Sequence, residues 1–207
     1  MKKKFKLANK NIGQSEPVYF IADIAANHDG KLSQALDLIT AAKDAGADAA
    51  KFQHFNANSI VSDIGFKNLG SKFSHQKNWK KSIFETYQDA SIDLKWTDQL
   101  KNKCDKVGIE FCSTPYAFDL TDHLDKYVNF YKIGSGDITW IDMLEYVSRK
   151  GKPVILSTGA SDISEVETAV KAIHKYNNEI VLMQCNTNYT GSYENYKYIH
   201  LNVYTIS

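Results

Sequence analysis

At 207 residues the chain is long for one small domain and short for two, so a single core is the expectation. Hydrophobic residues make up 43% and charged residues 24%, a balance that excludes a disordered chain. A net charge of +1 leaves no electrostatic footprint for nucleic acid or an anionic membrane, and no apolar run approaches spanning length.

The basic start, Met1-Lys2-Lys3-Lys4-Phe5, is followed by no apolar core of a signal peptide. Phe5 to Gly13 alternates weakly and ends in a turn, which predicts a short hairpin outside the main core, within an extension over residues 1–17. Val18-Tyr19-Phe20-Ile21-Ala22 is an apolar run of strand length, delivering Asp23, Asn27, His28, Asp29 and Gly30 to the loop after it. From Leu32 to Ala45 the apolar positions keep helical spacing, and Gly46 supplies the stop.

A second strand over Asp48–Gln53 ends in Lys51, Gln53 and His54. Phe55 to Asp93 then reads as a long irregular stretch with room for a short helix around Lys80–Tyr87, the kind of segment that often forms a lid. Leu94 to Val107 is helical in period and stops at Gly108. The strand Ile109–Cys112 delivers Ser113, Thr114 and Pro115, and a short helix over Leu120–Lys126 leads to the strand Phe130–Ile133.

That strand runs straight into Lys132-Ile133-Gly134-Ser135-Gly136-Asp137, where a cation, a hydroxyl and two glycines suit a small anion such as phosphate. A helix starting near Asp137 would add its positive end; the plainer alternative is a turn with Asp137 as N-cap. Ile141, Leu144 and Val147 mark the next helix, and Val154–Leu156 a strand ending in Ser157-Thr158-Gly159. A helix over Ile163–Tyr176 with a capping box at Ser164 and Glu167 precedes the strand Ile180–Met183. That strand ends in Gln184-Cys185-Asn186-Thr187-Asn188-Tyr189, and the Tyr-rich tail to Ser207 has room for one more helix.

Six apolar strands alternating with helices predict an α/β fold with a parallel sheet buried on both faces. Polar residues gather just after the strands, where both doubly wound sheets and (β/α)8 barrels bind ligands. No G-x-G-x-x-G follows the first strand, which favours a TIM (β/α)8-type barrel, although only about six βα units are present over residues 18–207. The strand-end candidates are Asp23, Asn27, Lys51, Gln53, Thr114, Lys132, Ser135, Asp137, Ser157, Asn186, Thr187 and Tyr189. Two lysines with several hydroxyls suit a ligand carrying phosphate and carboxylate, of which phosphoenolpyruvate is one, and two carboxylates suit a general base and an orienting group. Cys104, Cys112 and Cys185 lie far apart without C-x-x-C spacing, as reduced thiols of a cytoplasmic protein would.

Six segments carry a resemblance: A-D-I-A-A-N-H-D-G (22–30), A-G-A-D-A-A-K-F-Q (45–53), S-T-P-Y (113–116), Y-K-I-G-S-G-D-I (131–138), L-S-T-G-A-S (156–161) and Q-C-N-T-N-Y-T-G-S (184–192). In this order and spacing the chain from about Val18 resembles the N-acetylneuraminate (sialic acid) synthase family. The resemblance implies a barrel that condenses phosphoenolpyruvate with an open-chain N-acetylhexosamine to give a nonulosonate and phosphate. It implies that Lys51, Thr114 and Lys132 hold the carboxylate and nearby oxygens, and that Ser135 and Ser157 hold the phosphate. By the same matching, Gln53, Asp137 and Tyr189 line the sugar or steady the site, and Asp23 activates the water that attacks C2.

The chain departs from the family pattern in several places. Asp23 and Asp137 stand where many members carry Glu, and Thr187 replaces a phosphate-contacting Asn for which the adjacent Asn186 is the candidate substitute. The family's divalent metal, manganese or magnesium, is held by two histidines on the last two barrel strands, which would lie beyond Ser207. None of His28, His54, His75, His123, His174 or His200 matches those ligands, so no metal residue is assigned. A small C-terminal antifreeze-like domain that completes the site in the family's homodimer would lie beyond Ser207 as well. Two other readings stand beside this one. The first is a phosphate- or phosphoenolpyruvate-binding remnant without turnover, and the second is an aldolase with Lys132 as its Schiff-base lysine.

Overall fold

In a computed structural model, residues 4–69 and 80–187 are described. They divide into two compact units, one of Phe20–Tyr127 and one of the residues up to Tyr19 together with those from Val128 onward. The hairpin expected near the start belongs to the second of these: β1 (Lys4–Leu7) pairs antiparallel with β2 (Lys10–Gly13). Leu7 is buried, so this hairpin is anchored by a side chain of its own.

The unit Phe20–Tyr127 is built on three parallel strands in the order β3 (Ile21–Ala25), β4 (Ala49–His54) and β5 (Glu110–Pro115). Between β3 and β4 runs α1 (Leu32–Asp44), whose Ala35, Ile39 and Ala42 repeat at helical spacing and are buried. Gly46 follows it at φ +85°, the left-handed conformation that glycine adopts without strain. The central β4 hides both faces, and its Ala49 and Ala50 are small enough to admit close packing.

The segment expected to be irregular contains three helices among its described residues: α2 (Ala57–Ile60), α3 (Asp63–Leu69) and α4 (Ile83–Ala90). Reciprocal capping boxes start α2 at Asn56 and Ser59 and α4 at Ser82 and Glu85. Of these, α4 answers to the short helix expected around Lys80–Tyr87, displaced by three residues, whereas α2 and α3 were not expected, because short polar helices carry little apolar periodicity and are defined by their caps. A 3-10 turn (Leu94–Trp96) leads into α5 (Thr97–Val107), and α6 (Phe118–Asp125) follows β5.

In the other unit β6 (Tyr131–Ile133), β7 (Val154–Ser157) and β8 (Ile180–Met183) form a second parallel sheet in that order. The crossovers are α7 (Ile141–Ser148) and α8 (Ile163–His174), with Leu144, Val147, Val166, Ala169, Val170 and Ile173 buried. At the outer ends of α7 and α8, Lys175 reaches Glu145 at 2.5 Å and the Arg149 guanidinium lies 4.0 Å from the Tyr176 ring centre.

Both sheets are parallel and alternate with helices, as expected of an α/β chain, but the ladders form two sheets of three strands. Several boundaries differ from expectation, β5 among them, which runs to Pro115 and so holds Ser113 and Thr114 within the strand. The first core strand is Ile21–Ala25 rather than Val18–Ala22, because pairing begins at Ile21 opposite Ala49, and Val18 and Phe20 are 69% and 60% exposed. The capping box of α8 joins Asp162 to Glu165, two residues before the expected pair. Asp137 caps no α-helix; it ends a 3-10 turn (Ser135–Asp137), and α7 begins only at Ile141. Among the described residues no helix is long and apolar enough to cross a membrane.

Candidate active site

The strand ends of each unit gather one cluster of polar side chains. In the unit Phe20–Tyr127, β3 and β4 register Asp23 directly opposite Lys51, and the Lys51 ammonium meets the Asp23 carboxylate at 2.8 Å. The Lys51 side chain is buried whereas that of Asp23 is 61% exposed. The buried cation is thus neutralised by a carboxylate that still reaches water. One residue later the β3 ladder is irregular and Ala25 takes a positive φ of 52°, which turns the chain into the loop bearing Asn27. Asn27 donates back to the Ile24 carbonyl at 2.9 Å, so its amide nitrogen shapes this turn.

Further along β4, Gln53 lies opposite the buried Thr114 of β5, and its amide nitrogen meets the Tyr116 hydroxyl at 3.2 Å. His54, next on β4, is fully buried and has both ring nitrogens engaged, with Ser113 at 2.7 Å and Thr97 at 3.1 Å. Burial, then the neighbouring His123 and His28, lowers its pKa to about 3, so it is a neutral strut and no proton carrier at neutral pH. His28 is also buried. Its Nδ1 accepts the Gly30 N–H at 3.1 Å, which ties down the loop after β3.

In the unit containing β6–β8, the buried Lys132 ammonium donates to the Ile133 carbonyl at 2.9 Å and to the Ser157 hydroxyl. A hydroxyl that accepts from an ammonium keeps its own proton to donate elsewhere, so Lys132 and Ser157 together present a cation and a donor. Ser135, on the turn after β6, accepts the Gly159 N–H at 3.0 Å and likewise keeps its proton. Gly159 has no room for a side chain. A Cβ there would stand 2.5 Å from the Thr187 methyl, 2.9 Å from the Cys185 carbonyl and 3.0 Å from the Ser135 hydroxyl. Burial raises the pKa of Asp137, with Lys132 near enough to offset part of that rise.

The structure therefore brings Asp23 to Lys51 and sets Gln53 beside Thr114, and in the other unit it joins Lys132, Ser135 and Ser157 with Asp137 nearby. Asn186 is half-buried and Thr187 exposed on the segment after β8, whereas Tyr189 lies outside the described residues. Two contributors escaped the sequence reading as individuals, although both sit in quoted motifs: Tyr116 in S-T-P-Y and Gly159 in L-S-T-G-A-S. Among the described residues no three His, Cys, Asp or Glu side chains gather as a metal site would require, so these residues do not fit the implied divalent ion.

Residues 38–205 match the NeuB family model. The chain is 37% identical to the spore coat polysaccharide biosynthesis protein SpsE of Bacillus subtilis, over 89% of its own length and 49% of that protein. It is 34% identical to the N,N'-diacetyllegionaminic acid synthase of Legionella pneumophila, over 88% and 52% respectively. A solved N-acetylneuraminic acid (sialic acid) synthetase from Leptospira borgpetersenii, in complex with citrate, superposes with a TM-score of 0.84 at 30% identity, covering 97% of this chain and 65% of that one. The chain spans about half the length of the curated relatives it matches. With a family match over residues 38–205 and synthases among its relatives, the chain belongs to the NeuB family.

Proposed function

We propose that these residues carry the chemistry of a nonulosonate synthase, in an incomplete (β/α)8-type barrel over residues 18–207 behind an N-terminal hairpin extension. The reaction is condensation of phosphoenolpyruvate with the aldehyde of an N-acetylhexosamine-type sugar, N-acetylmannosamine or a related amino sugar. The observation that carries this reading is the buried Lys132 donating to Ser157, with Ser135 on the neighbouring turn. A buried cation flanked by hydroxyls is costly without a purpose and suits an anion with several acceptor oxygens.

In this reading Ser135 and Ser157 take the phosphate, while Lys132, Lys51 and Thr114 take the carboxylate and nearby oxygens. Asn186 and Thr187 border the phosphate end, Gln53, Asp137 and Tyr189 line the sugar or steady the site, and Asn27 is a further substrate-binding candidate. The methylene carbon of phosphoenolpyruvate forms a bond to the aldehyde carbon, whose oxygen takes up a proton. Asp137, whose pKa burial raises and Lys132 lowers, steadies the site beside that aldehyde. Water, deprotonated by Asp23, adds to the cationic C2, and the C2–O bond breaks to release phosphate and leave the keto acid.

A second reading, binding of phosphoenolpyruvate without turnover, is favoured by the lack of a metal-holding group among the described residues. Cytoplasmic location and a homodimer belong to the synthase reading, and the three free thiols accord with the former. The test is phosphate release from phosphoenolpyruvate with Mn²⁺ present, with and without N-acetylmannosamine or a 2,4-diacetamido hexose. For the full-length protein the expected result is release that depends on the amino sugar, and for the isolated 207 residues little release. Robust release by the 207 residues alone would show that they carry the whole reaction. Saturable binding with no release by the full-length protein would establish the second reading.

A further inference from the structure

We propose that Tyr116 is a positioning residue that fixes which end of the Gln53 amide meets the substrate, an inference that rests on the condensing activity proposed above. A glutamine amide has two ends, a donating NH2 and an accepting oxygen, and whichever is tied up leaves the other to read a ligand. Here the Gln53 nitrogen meets the Tyr116 hydroxyl at 3.2 Å, and the Gln53 oxygen accepts no hydrogen bond among the described residues. Gln53 is half-buried near the end of β4, beside the buried Thr114.

The face it presents is therefore an acceptor, which recognises a hydroxyl or an amide N–H. Ionised phosphoenolpyruvate offers only acceptor oxygens, whereas an N-acetylhexosamine offers several donors. The tethered amide thus reads the sugar and disfavours the anion at this position.

The hydroxyl that holds Gln53 is itself held in place. The Tyr116 backbone N–H donates to the His54 carbonyl at 3.1 Å. Its ring stands edge-on to the buried Phe55, with centres 6.0 Å apart, and Phe55 packs in turn on Tyr87 of α4 at 5.7 Å. The aromatic relay from α4 through Phe55 fixes the ring, and the ring fixes the amide.

The experiment is calorimetric titration of full-length wild type, Tyr116→Phe, Gln53→Glu and Gln53→Leu with N-acetylmannosamine and, separately, with phosphoenolpyruvate. Tyr116→Phe keeps the ring and the packing and removes only the hydroxyl. The expected result is a Kd for the sugar about ten-fold weaker, as for loss of one hydrogen bond, with the Kd for phosphoenolpyruvate and the thermal midpoint unchanged. Gln53→Glu keeps an accepting oxygen, and the Tyr116 hydroxyl can donate to its other oxygen, so it should bind the sugar better than Gln53→Leu.

Equal weakening of both ligands in Tyr116→Phe, or of neither, would overturn the inference. So would Gln53→Glu binding the sugar no better than Gln53→Leu. A wild type that binds neither ligand would instead overturn the condensing activity, and this inference with it.

Discussion

Replacing Lys132 by methionine is expected to lower phosphoenolpyruvate-dependent turnover about a thousand-fold in the full-length protein, the scale seen when a preorganised charge partner is removed. Methionine keeps an unbranched stem in the buried channel that Lys132 fills, so the sheet around β6 should survive. What disappears is the ammonium that donates to the Ile133 carbonyl and to Ser157, and with it the orientation of the Ser157 proton. Asp137 also loses the nearby cation that opposes its burial, so its pKa should rise further. Arginine should not rescue the activity, because a planar fork cannot reproduce a compact point charge in this space. Steady-state kinetics on both variants is the check. A Lys132→Met enzyme within ten-fold of wild type would remove this lysine from the site.

The second large effect is on stability. Acidification from about pH 6.5 toward pH 3 should destabilise the unit Phe20–Tyr127 through its buried histidines. His54 has a folded pKa of about 3 against an ordinary value of 6.5, and burial lowers those of His28 and His123 too. The unfolded chain therefore binds protons at a pH where the folded chain does not, so this stability is fully present above about pH 6.5 and is lost on acidification. For His54 alone the span corresponds to a loss on the order of 5 kcal/mol.

The hydrogen bonds account for the neutral form. Thr97 donates to the Leu94 carbonyl and accepts from His54 and His123, which places a proton on Nε2 of each ring. With Nε2 protonated, Ser113 donates to the remaining Nδ1 of His54, so both ring nitrogens are satisfied in the neutral form. Asp29 beside His28 and Asp98 beside His123 act in the opposite direction, and Lys126 reinforces the shift at His123. His54→Gln, which retains one donor and one acceptor, should flatten the fall. Denaturant titrations between pH 7 and pH 4 measure it, and identical pH slopes in the two proteins would show that His54 does not carry the effect.

Much of this was legible in the sequence, for reasons that particular elements make clear. The strand Ile180–Met183 was read to the residue because a short apolar run bounded by polar residues is a plain strand signature, although only Ile180 of it is fully buried. Likewise α1 and α5 end where Gly46 and Gly108 were expected to stop them, both at positive φ. Lys132 and Ser157 stood among the strand-end candidates, and they meet because neighbouring parallel strands deliver their C-terminal residues to a common edge.

The first core strand was misplaced because hydrophobicity alone does not set register; the pairing of Asp23 with Lys51 shows it, and that pairing is a long-range fact. Gly159 and Tyr116 were missed for a related reason. A close approach and a tether between β4 and β5 are invisible until those elements are side by side. Nor does a local pattern announce that His28, His54 and His123, spread over almost a hundred positions, are coupled.

The most direct test of the central claim is to run the full-length protein with phosphoenolpyruvate and N-acetylmannosamine in ¹⁸O-labelled water and weigh the released phosphate. Attack of water on C2 breaks the C–O bond, so the phosphate keeps the bridging oxygen of phosphoenolpyruvate and is predicted to carry no label. Phosphate containing one ¹⁸O would mean that water attacked phosphorus, which would contradict the condensation and mark the strand-end cluster as the site of a phosphatase.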